Sequence, residues 1–264
     1  MNSVIRRPIA FVLLATGHGT MIVNQHDYHR LEGGYEYGVG LSLTRNSYFE
    51  PEEIALALRM LNLRREHFGD GVVALDCGAN IGVHTIEWAR EMHGWGKVHA
   101  FEAQEPIYYA LCGNIALNNC LNASAKHLAL GGESGTILIP KLDYTQPGSF
   151  GSLELRLRES TEYLGQVVNY APEASQAIPL VTLDSFDYDR VDFLKIDVEG
   201  MEMEVVRGAK EIFERHRPIV LLEYIKSNSE EMIQYFQNMD YNTFQSGMNL
   251  LVVHRDDPSG INLV

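Results

Sequence analysis

The chain is poor in the residues that mark several protein classes. It holds three cysteines, Cys77, Cys112 and Cys120, in 264 residues. An odd count without paired spacing makes no disulfide framework, and no CxxC-type pattern offers a zinc site. Basic residues form no run, and 21 of them face 35 acidic ones, a formal net charge of -14. Such a field repels nucleic-acid phosphates and anionic membranes, so a small or neutral molecule is the expected partner. No stretch approaches the roughly 18 apolar residues of a membrane span. Arg6 and Arg7 precede the apolar run IAFVLLA, which has the look of a short signal core, but no A-x-A cleavage site follows. We read that run as one arm of a hairpin turning at Gly17, His18 and Gly19 into TMIV. Free thiols and no leader make a cytoplasmic location the expectation.

With 45% hydrophobic residues, the sequence has ample material for one large α/β domain. Residues 1–48 read as an N-terminal β-hairpin extension ending in a Gly/Tyr-rich loop, EGGYEYGVG. Residues 49–264 read as the main domain. It opens with the helical run PEEIALALRMLNLRREHF, where Pro51 suits the first turn and Glu52 and Glu53 suit the positive end of the helix dipole.

Next comes an alternation of short apolar strands and longer helical stretches. VVALD is followed by VHTIEWAREMH, KVHAFEA by EPIYYALCGNIALNN, and SAKHLAL stands as a third strand. VDFLKID, the helical run MEMEVVRGAKEIFERH and PIVLLEY resume the pattern later. It implies right-handed βαβ units in a doubly wound, mostly parallel sheet. The terminal YNTFQSGMNLLVVHR reads as a closing antiparallel hairpin around Gly247. Residues 140–177, rich in Pro, Gly and Tyr, interrupt the alternation and read as an insertion over the acceptor side of a cleft.

The chemistry concentrates in DCGANIG. In an open parallel sheet, ligands bind beyond the carboxyl ends of the strands. Gly78 and Gly82 let a ligand approach the loop closely, and Asn80 tolerates unusual backbone angles. Cys77 is expected as a small packed residue. Asp76 ends the first strand and suits a cationic group. Glu102 ends the second, 26 residues on, where a carboxylate can accept both ribose hydroxyls of a nucleoside. A pyrophosphate wants GxGxxG and no acid before the loop. Here the GxG pair is missing and Asp76 would repel phosphate, so charge favours the sulfonium donor S-adenosylmethionine over a nicotinamide cofactor.

Asp197 and Glu199, in LKIDVEG, and Glu223, in PIVLLEY, would lie at the same mouth. They could position a cationic cofactor, act as a base or ligate a metal; Glu199 could instead cap the following helix. No dedicated metal-ligand cluster stands out. His84, opening the first helix after the loop, could face the transferred group. Tyr144, Phe150, Tyr163 and Tyr170 could line a sugar pocket or pin the insertion to its own domain.

The segments VVALDCGANIGVHT, VHAFEAQEPIYYALCGNIALNN, LALGGESG, TLDSF, VDFLKIDVEGMEMEVVRGA and RPIVLLE resemble, in order, the FkbM family of methyltransferases. The resemblance implies a class I, Rossmann-like fold that uses S-adenosylmethionine to methylate hydroxyls of sugars, glycolipids or polyketides. It implies that Asp76, Gly78, Asn80 and Gly82 hold the methionyl part and Glu102 the ribose, and it matches Asp197 and Glu199 to the family's D-x-E-G. Asp197 is the first candidate base, with Glu199 and His84 next. Two departures stand out: Ala103 where the family often has proline, and Gly132 where it often has an acid, which leaves adenine recognition to backbone groups. A nicotinamide-dependent oxidoreductase and a non-enzymatic nucleoside-binding module are the competing readings. The missing GxG and the lack of a Tyr-x-x-x-Lys pair count against the first, and the intact loop and acids against the second. Acceptor and oligomeric state are not legible.

Overall fold

A computed structural model describes residues 8–31 and 33–259; Arg6 and Arg7 lie outside them. Strands β1 (Phe11–Thr16) and β2 (Gly19–Asn24) form an antiparallel hairpin. A small ladder of β3 (His29–Arg30) and β4 (Glu36–Tyr37) follows. Helices α1 (Val39–Asn46) and α2 (Pro51–Phe68) come next. The glycine-opened α1 lies where the sequence reads as loop.

The alternating part runs β5 (Val72–Cys77), α3 (Val83–Glu91), β6 (Gly96–Glu102), α4 (Glu105–Leu117) and β7 (Ala123–His127). Then come β8 (Ala129–Leu130), β9 (Gly135–Pro140) and β10 (Ser175–Val181). The chain closes with β11 (Phe193–Ile196), α5 (Glu202–Arg207), α6 (Lys210–His216), β12 (Ile219–Glu223), α7 (Ser229–Asn238), β13 (Tyr241–Ser246) and β14 (Asn249–His254).

Seven strands make the central sheet, in the order β13-β14-β12-β11-β5-β6-β7. β12, β11, β5, β6 and β7 are parallel, and β14 runs antiparallel to its neighbours. The order reverses between β5 and β11, so their carboxyl ends diverge into a crevice. This is the doubly wound α/β fold with a closing hairpin. One face carries the core of Val72, Ala74, Trp88 and Phe193 under α2 and α3; the other packs Leu75, Leu194, Val206 and Phe236. Period-2 alternation therefore puts Asp76, Lys195 and Glu223 on the α2/α3 face. Asp76 and Lys195 are direct cross-strand partners.

Three elements depart from the sequence reading. SAKHLAL is not one strand: β7 stays in the central sheet, while β8 joins β9 and β10 in a separate three-stranded sheet. The stretch 140–177 is not wholly irregular, because Ser175–Ala177 already belong to β10 and pair with Pro140–Leu138 of β9. The helix read over MEMEVVRGAKEIFERH breaks at Gly208, where a Cβ would sit 2.1 Å from the Gly131 carbonyl oxygen.

The N-terminal hairpin is held by Asn114 of α4. Its Oδ1 accepts the Ile22 N–H, and its Nδ2 donates to the Ile22 and Ile81 carbonyls. One buried amide thus joins β2 to the loop after β5. His18 adds a second tie, with Nδ1 2.9 Å from Glu87 Oε1 and Nε2 accepting the Phe49 N–H at 3.0 Å.

Candidate active site

A cavity of about 490 Å³ opens at the carboxyl ends of β5, β6, β11 and β12. Its floor is the turn after β5. Gly78 has φ 85 and Asn80 φ 50, both left-handed. A Cβ on Gly78 would lie 1.8 Å from the Asp197 carbonyl oxygen, so the residue is dictated by the backbone leaving β11 as well as by room for a ligand. Gly82, expected at the methionyl end, does not line the cavity. Its φ is 90 and its missing Cβ makes room for Leu111 Cδ1, 2.5 Å from where that atom would be, so it serves the packing of α4. Cys77 is a buried free thiol, pushed up by desolvation.

Glu102 ends β6 inside the cavity wall and is 6% exposed. Its Oε2 accepts the Asn80 N–H at 2.9 Å and its Oε1 the Gln104 N–H at 2.8 Å. Burial pushes its carboxyl up to about 7, against the pull of those backbone N–H groups. Each oxygen retains a lone pair for a further donor. Beside it, Phe101, Ala103, Leu128 and Leu130 give an apolar wall. Asp76 is buried and accepts the Thr85 hydroxyl at 2.5 Å.

The other half of the cavity is charged. Lys195 is 4% exposed, with Nζ 2.7 Å from Asp197 Oδ2. Burial alone would lower its ammonium; Asp197, Glu53, Glu50 and Asp76 around it hold it well above the ordinary lysine value. Glu199 has φ 55 and pairs its Oε2 with Lys226. Burial and the nearby Asp197 raise Glu199 to about 8 and Glu223 to about 9, and Glu223 Oε2 is buried without a partner. Glu199 does not cap the next helix, whose N-cap is Met201 with no side-chain cap; Glu202 instead braces the turn before it, accepting the Val198 and Gly200 N–H groups at 3.2 and 2.8 Å.

Oxygens of Asp197, Glu199 and Glu223 lie within 4.8 Å of one another, and so do ligand atoms of Glu50, Glu53 and His84. The first set already holds the ammonium groups of Lys195 and Lys226, which stand where a cation would. His84 lines the cavity, yet its Nε2 is engaged 3.0 Å from Glu50 Oε2 and its Nδ1 is buried without a partner. Burial and Lys195 lower the imidazole to about 4. As placed, one ring nitrogen is taken by Glu50 and the other is buried, so neither is turned free toward the cavity.

The residues that sequence reasoning missed come mostly from outside the alternating core. Tyr35, Tyr37, Phe49 and Glu50 reach in from the N-terminal segment, and Ser152 and Glu162 from the insertion. Lys226 Nζ ties these together, 3.3 Å from the Ser152 carbonyl oxygen and 3.2 Å from Glu162 Oε2, while the Tyr37 hydroxyl donates to Glu162 Oε1 at 2.7 Å. Lys195 was legible in principle, since period 2 places it on the face of Asp197. The four loop aromatics pin the insertion. Tyr144 packs 4.8 Å from Phe150 and donates to Gln104, Tyr163 donates to the Gly165 carbonyl and Tyr170 to the Glu154 carbonyl.

Two curated fungal proteins share sequence with this chain. "Methyltransferase 1" of Beauveria bassiana (strain ARSEF 2860) is 27% identical over 153 residues, 53% of this chain and 59% of its own length. "Methyltransferase sdnD" of Sordaria araneosa is 27% identical over 167 residues, 52% and 60%. The chain thus spans about three fifths of the length of these relatives. Among solved structures, a methyltransferase FkbM from Methylobacillus flagellatus KT aligns with a TM-score of 0.46 and 17% identity, over 70% of this chain and 43% of that one. A SAM-dependent O-methyltransferase from Thermotoga maritima aligns at 0.46 and 12%, over 92% and 85%. The sequence model for the methyltransferase FkbM domain matches residues 76–243, from the last residues of β5 into β13. The chain belongs to the FkbM methyltransferase domain family.

Proposed function

We propose that the protein transfers a methyl group from S-adenosylmethionine to a hydroxyl of a small molecule, such as a sugar, glycolipid or polyketide. The observation that carries the reading is Glu102: a buried carboxylate at the end of β6, aimed by the N–H of Asn80 from the glycine turn, with lone pairs left for two hydroxyls. The residues present suit this cofactor. Glu102 would take the ribose, the wall of Phe101, Ala103 and Leu128–Leu130 the adenine, and Asp76, Gly78 and Asn80 the methionyl end. The cofactor would supply an electrophilic methyl on a sulfonium.

The chain's own part is to position and to handle a proton. Holding nucleophile and electrophile in line supplies much of the rate of such a transfer. Asp197 sits where β11 meets the glycine turn, and its Oδ2 is fixed by Lys195, leaving Oδ1 to hold either a neighbouring group of the acceptor or the methionyl ammonium. Glu199 and the Lys226 tie shape the rim on that side. Residues of the N-terminal segment and the insertion line the mouth, where they would limit the access of water to a bound acceptor. A hydroxyl is a poor acid, so a base adds typically about 10²–10⁴-fold. The described residues contain no helix long and apolar enough to cross a membrane.

Calorimetric titration with S-adenosylhomocysteine and, separately, with a nicotinamide dinucleotide tests the reading. The expected result is roughly micromolar binding of the first, about -8 kcal/mol, and none of the second. Binding of the dinucleotide alone would replace methyl transfer with hydride chemistry. Incubation with a methyl-labelled donor and a panel of glycosides and polyols then identifies the acceptor class.

A further inference from the structure

Glu50 lies outside the family-matched residues, which begin at 76, yet its side chain lines the cavity. Its backbone is left-handed, φ 46, directly before Pro51, an unfavourable conformation for a residue with a side chain. That turn aims the carboxylate at the ends of β5 and β11. Oε2 lies 3.0 Å from His84 Nε2; Oε1 has no hydrogen-bond partner among the described residues, and the side chain retains 30% exposure. The groups facing it are His84 from α3, Glu53 from α2, and Lys195 and Asp197 from β11 and the turn after it. Burial, with Asp197 adding to it against Lys195, pushes Glu50 up to about 7. Asp197, by contrast, already has one carboxylate oxygen engaged by the buried Lys195 ammonium 2.7 Å away. A carboxylate with no ammonium bonded to it and an unengaged oxygen open to the cavity is placed to accept a proton near neutral pH.

We propose, on the methyl-transfer reading above, that Glu50 is a further catalytic residue, whose free oxygen faces the point of methyl transfer and receives the acceptor's hydroxyl proton. The acceptor oxygen forms its bond to the methyl carbon while the carbon–sulfur bond breaks and its electron pair passes to sulfur. The hydroxyl proton moves to Glu50 Oε1 and is later released to water. His84 is the positioning residue that fixes Oε2 and turns Oε1 inward.

The test needs no acceptor. Sinefungin carries an amine where the transferred methyl would stand, and S-adenosylhomocysteine carries nothing there. Binding of both is measured from pH 6 to 8 in the wild type, Glu50→Gln and Glu50→Asp. In the wild type, the preference for sinefungin should grow as pH rises through about 7 and Glu50 becomes an anion. Glu50→Gln should lose that inflection and roughly ten- to hundredfold of the preference, with homocysteine-ligand affinity unchanged. Glu50→Asp should restore part of the pH dependence. An unaltered preference and profile in Glu50→Gln overturns the proposal. If Glu50→Gln loses S-adenosylhomocysteine as well, an Asp variant that binds it without the inflection also overturns it. If neither ligand binds the wild type, the cofactor reading falls, and this proposal with it.

Discussion

Lys195 Nζ and Asp197 Oδ2 stand 2.7 Å apart at the end of one strand, and the same lysine is the cross-strand partner of Asp76 on β5. It is the buried ammonium around which Glu50, Glu53, Asp76 and Asp197 gather. Removing it leaves those carboxylates desolvated and unpaired, at a cost of about 3–5 kcal/mol. Lys195→Met should therefore lower the melting temperature by roughly 6–20 °C. The sign with pH follows. Without the ammonium, protonated carboxylates are favoured in the folded state, so the deficit should shrink on going from pH 8 to pH 5. Thermal denaturation at both values decides it, and an equal deficit at both would show that the lysine acts through packing alone.

Asp197→Asn keeps size and hydrogen bonding while removing the charge. If Asp197 holds the acceptor, turnover should fall with cofactor affinity nearly unchanged. If it holds the methionyl ammonium, affinity should fall and saturated turnover recover. Isothermal titration and single-turnover rates with the identified acceptor separate the two. Normal values in both would remove Asp197 from the site.

Glu102 predicts a pH dependence of cofactor binding. Its carboxyl is raised to about 7 by burial in the free protein, and ribose hydroxyls would hydrogen-bond the anion. Binding then favours the deprotonated form, so affinity for S-adenosylhomocysteine should be full above about pH 8. It should weaken as pH falls through 7, by at most about tenfold per pH unit. Glu102→Gln should flatten this profile and weaken binding by roughly ten- to hundredfold. A wild-type dissociation constant constant from pH 5.5 to 8 would detach Glu102 from the ribose.

The two loop glycines should differ in cost. In Gly78→Ala the new methyl meets a backbone oxygen at 1.8 Å with φ 85; backbone strain and overpacking together should cost about 2–5 kcal/mol. In Gly82→Ala it meets the end of the Leu111 side chain, so a Gly82→Ala/Leu111→Ala double variant should recover part of the loss. Denaturant titration of the three variants measures this. Lack of recovery would mean that the left-handed backbone, not Leu111, requires the glycine.

Lys226 joins the loop after β12 to Glu199, Glu162 and the Ser152 carbonyl. Lys226→Ala should leave S-adenosylhomocysteine affinity within about twofold, because the cofactor wall lies on the β6 side, while protease cleavage within 149–163 quickens. Limited proteolysis followed by mass mapping reads the second effect. An unchanged cleavage rate would show that the insertion is held by its aromatic contacts and not by this cation.

The parallel half of the sheet and the cofactor turn were legible because both are local. Apolar runs of five residues, glycines at fixed spacing and an acid ending each strand are written within thirty residues of one another. Other features depend on distant backbone. Glu50 reads as a residue before a helix, and only its left-handed φ and the packing of α2 bring it to His84. His84 reads as a candidate base because its sequence position cannot show that α3 buries one nitrogen and Glu50 occupies the other. Gly82 looks like Gly78 in sequence; Leu111, from another helix, gives it a different task. The break between β7 and β8 follows from β10, a partner some fifty residues downstream.

Asn114 offers β2 an acceptor and a donor in the places where another strand's backbone would. A two-stranded ribbon otherwise leaves a row of unmet peptide groups, an invitation to pair with a second molecule. The asparagine answers part of that row from within the molecule, so the hairpin is blunted against intermolecular β-pairing. An apolar replacement at 114 would leave the ribbon's edge adhesive, and the damage would appear as aggregation before any loss of fold.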